Sequence, residues 1–437
     1  MKTVQSAHWL VMFCLCVIAG SFQSCVKDSC DQLTYTYMEY EPTYMTRAAF
    51  EDAVKVEKAR ELQDPGKILV NEDWLFVNEI GKGIHIIDNA NPASPQVLSF
   101  LRVPGNYDMA IHCGKLYVDS SVDLLVFDLA SAEQPSLISR TTNAFPHMLF
   151  YKGYLADANR GVVVEWIGKA VEGQYNCQTG IPEMWELNQL DAQSASEMFA
   201  SGNARQVNPS VPGKAGSMSR FTVQKEHLYI VSPTELQVYN VSNCAEPTLT
   251  SSKVLELWGG EAEMVSVLND LILIGTNVGV LLYSSDSPED PQYLSTFEHV
   301  QACDPVVGSG NFAFVTLRDG REIQCGNNFT NQLDVLSIAD PMRPSLLISY
   351  TMTHPHGLGI DQNLLFVADG TDGLKVFDAT DPVKVGNKLI AQFDTYQGYD
   401  VIPHDGMLIM VGKDGIAQFD YTDPENIELI GSIPVSQ

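Results

Sequence analysis

One sequence unit recurs along the chain and limits what it can fold into. Leu358–Pro382 reads LGIDQNLLFVADGTDGLKVFDATDP. An apolar run (Leu364–Ala368) meets Asp369-Gly370, and a second apolar run (Leu374–Phe377) closes on Asp378. Two short apolar runs joined by Gly/Asp-rich residues encode a β-hairpin. Aligned on the residue that closes the second run, eight copies end at Asp88, Asp128, Trp166, Asn240, Ser284, Ser337, Asp378 and Asp420. Five of the seven intervals fall between 38 and 44 residues. Proline stands four residues after the closing residue at Pro92, Pro288, Pro341, Pro382 and Pro424, where it ends one strand and turns the chain toward the next.

A period near 40 with four short strands per unit predicts a β-propeller. In copy seven strand A is Leu358–Asp361, B is Leu364–Ala368, C is Leu374–Phe377 and D is Lys388–Phe393. The expected fold is therefore all-β, about eight four-stranded blades over residues 65–437, or seven if one divergent copy is skipped. Copies three and six diverge most. An insertion runs from Ile167 to about Gly202 in copy three, and another spans Asp319–Thr330 in copy six. The units GLKVFDATDP, GIHIIDNANP and DLLVFDLASAEQP resemble the core of the LVIVD-repeat family of bacterial surface propellers. That resemblance implies the propeller fold and an extracytoplasmic setting; it implies no activity.

Residues 1–24 read as a signal peptide: Lys2, then the twelve-residue apolar segment Trp9–Gly20, too short to span a bilayer. Phe22-Gln-Ser-Cys25 resembles the bacterial lipoprotein cleavage box, which makes Cys25 the acylated N-terminus of an outer-membrane lipoprotein, periplasm-facing or surface-exposed. Lys27-Asp28 resembles the export tag of Bacteroidetes lipoproteins. Residues 25–64 form a tether, with Arg47–Lys55 expected as two helical turns and Val54–Leu62 as an extra strand on the edge of the first or last blade. The formal charge is −28, and loss of residues 1–24, which carry one lysine and no acid, makes it −29. Such a surface repels phosphate backbones, so nucleic acid is a poor partner. A protein or glycan ligand on one propeller face is the expected partner, besides the membrane.

In a propeller the D–A links and B–C turns share the top face, and the A–B and C–D turns share the bottom. That geometry pairs Cys303 with Cys325, both on top in copy six. Cys177, at the bottom of copy three, is expected to reach Cys244 or Cys113. No zinc spacing, nucleophile elbow or phosphate loop occurs. Asp369-Gly-Thr-Asp-Gly373 has the look of half a calcium loop but reads as a hairpin turn, and His354-Pro-His356 reads as a structural pair. The residues that open strand A all ionise: Lys67, Asp108, His147, Arg220, Glu263, Asp304, His356 and Asp400. Strand A is innermost, so they are expected to ring the top mouth of the channel. They would bind a polar ligand, or hold calcium on the four acids. Two functions follow: a non-catalytic binding module, or a metal-dependent hydrolase or lyase at the channel mouth.

Overall fold

The computed structural model describes residues 33–151, 154–175, 213–257, 260–299, 305–319 and 330–436. Cys25, Cys177, Cys303, Asp304 and Cys325 lie outside them. The larger of two compact units, Tyr40–Lys169 with Gln189–Gln437, contains a seven-bladed β-propeller. The smaller, Met1–Glu39 with Ala170–Asn188, is described over 33–39 and 170–175, both strand segments.

Blade 1 runs Pro65–Asn71, Trp74–Glu79, Gly83–Asp88 and Gln96–Arg102. Blade 2 spans Met109–His112 through Ser136–Thr141, blade 3 Phe221–Gln224 through Thr248–Val254, and blade 4 Ala262–Leu268 through Gln292–Glu298. Blade 5 spans Val306–Ser309 through Ser345–Thr351, blade 6 Leu358–Asp361 through Leu389–Phe393, and blade 7 Gly398–His404 through Glu428–Pro434. Each is an antiparallel meander ordered A-B-C-D.

The aligned closing residue has a physical task. Asp88, Asp128, Asn240, Ser284, Asp378 and Asp420 each accept, through the side chain, the backbone N–H two residues on, at 2.8–3.1 Å. This turn starts the C–D connection. A second turn follows, such as Ser94 N–H to Asn91 O at 2.8 Å, with the repeated proline at its first central position.

Seven apolar clusters fill the seven junctions between neighbouring blades. The cluster that joins blade 7 to blade 1 packs Ile402, Ile409, Val411 and Ile416 on Ile68, Val70, Leu75 and Val77. Closure also uses a buried reciprocal amide pair. Asn89 Nδ2 donates to Gln418 Oε1 at 2.8 Å, and Gln418 Nε2 returns to Asn89 Oδ1 at 2.7 Å.

The N-terminal segment lies on the ring. Lys55–Lys58 pairs with Ser99–Arg102 on the outer edge of blade 1, and Leu62 bridges Val435 of the last strand. Between them Arg60 is buried over the Phe100 ring and donates to Glu79 Oε1 at 2.8 Å. The helix Arg47–Asp52, shorter than expected, is fixed to blade 2 by two bonds from Arg47 to the Asp123 carboxylate, 2.6 and 3.1 Å.

Copy three is the one left out, so the ring has seven blades and not eight. Its first run makes a two-residue hairpin, Phe150–Tyr151 with Tyr154–Leu155, in which Phe150 is 57% and Leu155 77% exposed. Its second run belongs to Val162–Tyr175, which forms a two-stranded sheet with Leu33–Met45. Its closing residue is Trp166, whose side chain has no oxygen to start the C–D turn. Blade 2 therefore packs directly on blade 3, with Tyr117 and Val126 against Phe221 and Leu228 and with Phe145 filling the seam.

Candidate functional site

A stretch of the chain's own backbone runs through the middle of the propeller. Gly213 N–H donates to Ile111 O of blade 2 at 3.1 Å. Lys214–Ala215 pairs antiparallel with Val70 and Leu69, as an extra strand inside blade 1. Ser217 Oγ donates to Asp400 Oδ1 of blade 7 at 3.0 Å and accepts from Leu358 N–H of blade 6 at 2.9 Å. Ser219 O accepts from Val265 N–H of blade 4 at 2.9 Å. A seven-residue segment that touches the innermost strands of five blades lies on the axis. Being antiparallel to strand A of blade 1, it rises from the A–B face toward the opposite mouth.

The strand-A openers hold it there. Asp108, 2% exposed, accepts from Ser219 Oγ at 3.0 Å, from Arg220 N–H, and from Met109 N–H at 2.7 Å. Asp400, 4% exposed, accepts from Ser217 Oγ, from Val401 N–H at 2.9 Å and from Met218 N–H at 3.4 Å. Lys67 Nζ donates to Met218 O. Burial pushes the Asp108 carboxyl up and Asp400 up to about 6, against the pull of Lys67 and the donors. Burial pushes Lys67 down, and Asp108, Asp400 and Glu263 oppose that while Arg220 adds to it. A Cβ on Gly216 or Gly357 would land inside contact distance of the Asp400 carboxylate, so both glycines are needed by close approach.

Five of the eight expected rim residues thus share one electrostatic neighbourhood: Lys67, Asp108, Arg220, Glu263 and Asp400. Arg220 Nε donates to Glu263 O at 3.4 Å and reaches His147 electrostatically. His147 sits in the short 3-10 turn Pro146–Leu149 of the displaced copy three, its pKa lowered to about 4 by burial and by Arg220. Tyr107, pushed up to about 12 by burial, belongs to the same neighbourhood.

His356 stands apart, in a cluster between blades 5 and 6. Its ring meets Arg318, and its Nε2 is 3.2 Å from His354 Nδ1. Burial, then Arg318 and His354, lower its pKa to about 2. Asp369 is structural in its turn, accepting from Thr353 and His354 N–H and from Lys375 Nζ.

Among the described residues, Asp108, Glu263 and Asp400 do not gather as a set of metal ligands. The one group of that kind there is His112, Cys113 and Cys244, and its two sulfurs form a disulfide with Cα atoms 6.2 Å apart. This corrects the expectation that either cysteine pairs with Cys177. Removing copy three from the ring makes blades 2 and 3 neighbours, which brings the A–B turn of one against the C–D loop of the other. Sequence reasoning missed the axial segment. Its signal was the stretch Gly213-Lys-Ala-Gly-Ser-Met-Ser219, five of its seven residues small, about ten positions after the long insertion.

Comparison with known proteins agrees with the fold and adds no activity. Residues 64–100 match the LVIVD repeat model, so the chain is a seven-bladed propeller that carries this repeat. No curated protein matches. A periplasmic gluconolactonase of Pseudomonas aeruginosa is similar in structure at 9% identity, with TM-score 0.53, over 86% of this chain and 97% of that one. A protein from Lactobacillus plantarum is similar at 12% identity, with TM-score 0.53, over 85% and 96%. Both likenesses show the fold alone.

Proposed function

We propose that the protein is a lipid-anchored propeller of the outer membrane, surface-exposed or periplasm-facing, acting as a non-catalytic module that binds a protein or glycan on one face. The observation that carries this reading is the occupied channel. Asp108, Asp400 and Lys67 are engaged by the chain's own amides, hydroxyls and carbonyl, which leaves little at the axis for a metal-dependent hydrolase or lyase. The ligand face in this reading is the mouth where Arg220, Glu263, His147 and Tyr107 gather, each half-buried and able to contact a polar ligand.

The test is a glycan array together with surface cross-linking, run on the wild type and on Arg220→Ala. A ligand captured by the wild type should bind Arg220→Ala at least about tenfold more weakly, the loss expected of an interface anchor. Thermal stability should barely change, because among the described residues Arg220 makes one long side-chain bond. Equal binding by the variant sinks the proposed face, and a tightly held stoichiometric metal with turnover of an ester or lactone sinks the non-catalytic reading. Anchoring has its own check: Cys25→Ala should move the protein from the membrane fraction to the soluble one, since stable attachment needs the acyl chains.

A further inference from the structure

The junction between blades 2 and 3 holds His112, Cys113 and Cys244 with their ligand atoms within 4.8 Å of one another. His112 ends the innermost strand of blade 2, and Cys113 opens the tight turn after it. Cys113 (φ 50°) and Gly114 (φ 65°) both take left-handed backbone, the pattern of a two-residue hairpin turn, so the His112–Cys113 pair is fixed locally. Cys244 lies in the C–D loop of blade 3, and its backbone is fixed independently of its sulfur. Tyr117 Oη donates to Cys244 O at 2.7 Å, Ser242 N–H donates to Asn240 Oδ1 at 3.0 Å, and Glu246 N–H donates to Asn243 O at 3.0 Å. The apolar seam of Tyr117, Phe145, Phe221 and Leu228 also holds the two blades together. Breaking the S–S bond would therefore leave the three ligand positions where they are.

We propose that this junction is a redox-gated metal site: a covalent staple when oxidised, and when reduced a two-thiolate, one-imidazole site for zinc(II). The balance is simple. A dithiol reductant gives two electrons and two protons to the disulfide, leaving two thiols on the chain and a disulfide on the reductant. Zinc(II) then displaces the two thiol protons to the solvent. Two thiolates and a neutral imidazole around a divalent ion carry no net charge, which suits a half-buried position. A zinc ion with bonds of about 2.3 Å to sulfur and about 2.0 Å to nitrogen needs its sulfurs roughly 3.7 Å apart. A Cα separation of 6.2 Å accommodates that with side-chain rotation. The half-buried His112 ring stands with the two sulfurs inside that 4.8 Å, and imidazole nitrogen with two thiolates is a donor set zinc(II) takes. The fourth position is open to water.

The experiment uses the purified full chain, reduced with dithiothreitol and freed of it without oxygen. It is pulsed with iodoacetamide, with and without one equivalent of zinc, and mapped by peptide mass spectrometry. Zinc should slow alkylation of Cys113 and Cys244 by about tenfold or more, and His112→Ala should abolish that protection. This variant keeps the disulfide through purification, so its folding is not at issue. Cobalt(II) gives a second readout that needs no alkylation. The reduced wild type should show a thiolate-to-cobalt charge-transfer band at one equivalent, and the oxidised protein and Cys113→Ser/Cys244→Ser should not. Alkylation indifferent to zinc, protection that survives in His112→Ala, or a cobalt band that persists in the double variant each overturns the proposal.

Discussion

Asp119 shows how the fold treats a carboxylate it has buried. Its Oδ1 accepts from Asn106 Nδ2 at 2.7 Å, Tyr107 N–H at 2.8 Å and Asp108 N–H at 3.0 Å. Burial nevertheless pushes its pKa up to about 7, and the charge of Asp108 adds to the shift. A carboxyl whose folded pKa exceeds its unfolded one binds its proton more tightly when folded. Its contribution to stability is complete below about pH 4 and is lost as pH rises through 7. His147 and His356 work in the opposite sense, because imidazoles held neutral by burial cost stability as pH falls below about 6.5. A pH scan of the wild type alone would mix the two. Asp119→Asn separates them: the amide oxygen can keep all three donors, and the charge is gone. At pH 8 the variant should be more stable by about 1–3 kcal/mol, and the gain should vanish only by about pH 4. Denaturant midpoints at the two pH values check this, and a gain independent of pH rejects it.

At the scale of elements, the axial strand and the displaced copy mark what sequence could and could not show. The blades were legible because in six of the seven a closing side chain starts the C–D turn, and most closing residues recur 38 to 44 positions apart. Trp166 lacks that oxygen, which was visible in the sequence, but its consequence was not. The two cysteines meet because copy three leaves the ring, a fact set by packing over the whole blade 2–blade 3 seam. The positions of Lys67, Asp108 and Asp400 at the starts of inner strands were legible too. What fills the space between them was not, since the pairing of Lys214 and Ala215 with Val70 and Leu69 spans more than a hundred residues. If the axial strand is held as described, Gly216→Ala must push either backbone or the Asp400 carboxylate aside. The expected cost is about 1–3 kcal/mol. Asp400→Ala should also destabilise, by orphaning Ser217 and the backbone donors, yet the double variant should cost less than the sum of the singles because both act at one contact. Strict additivity in chemical denaturation would show that Gly216 and Asp400 do not meet.

On the whole-molecule scale the stability of a propeller depends on its last junction, since six of seven interfaces form between blades adjacent in the chain. The seventh must bring residues more than 300 positions apart together, and loop closure makes that the junction with the largest entropic cost. Here it is joined by the blade 7–blade 1 apolar cluster, by Leu62 bridging Val435, and by Asn89 with Gln418. The amide pair discriminates between correct and incorrect closure, because each member satisfies the other and Gln418 also donates to Pro92 O at 3.2 Å. Gln418 is fully buried and Asn89 nearly so, so removing one member strands the other without water. Gln418→Leu should therefore cost about 1–3 kcal/mol, and Asn89→Leu a similar amount. Replacing both with leucine removes the stranded partner and should recover much of that loss, since apolar replacement of a whole buried pair is close to neutral. Hydrogen exchange should place the single variants' added opening in blades 1 and 7, with blades 3 to 5 unchanged. A double variant less stable than either single one, or exchange that rises evenly around the ring, would mean that closure rests on the apolar cluster and the Leu62 bridge alone.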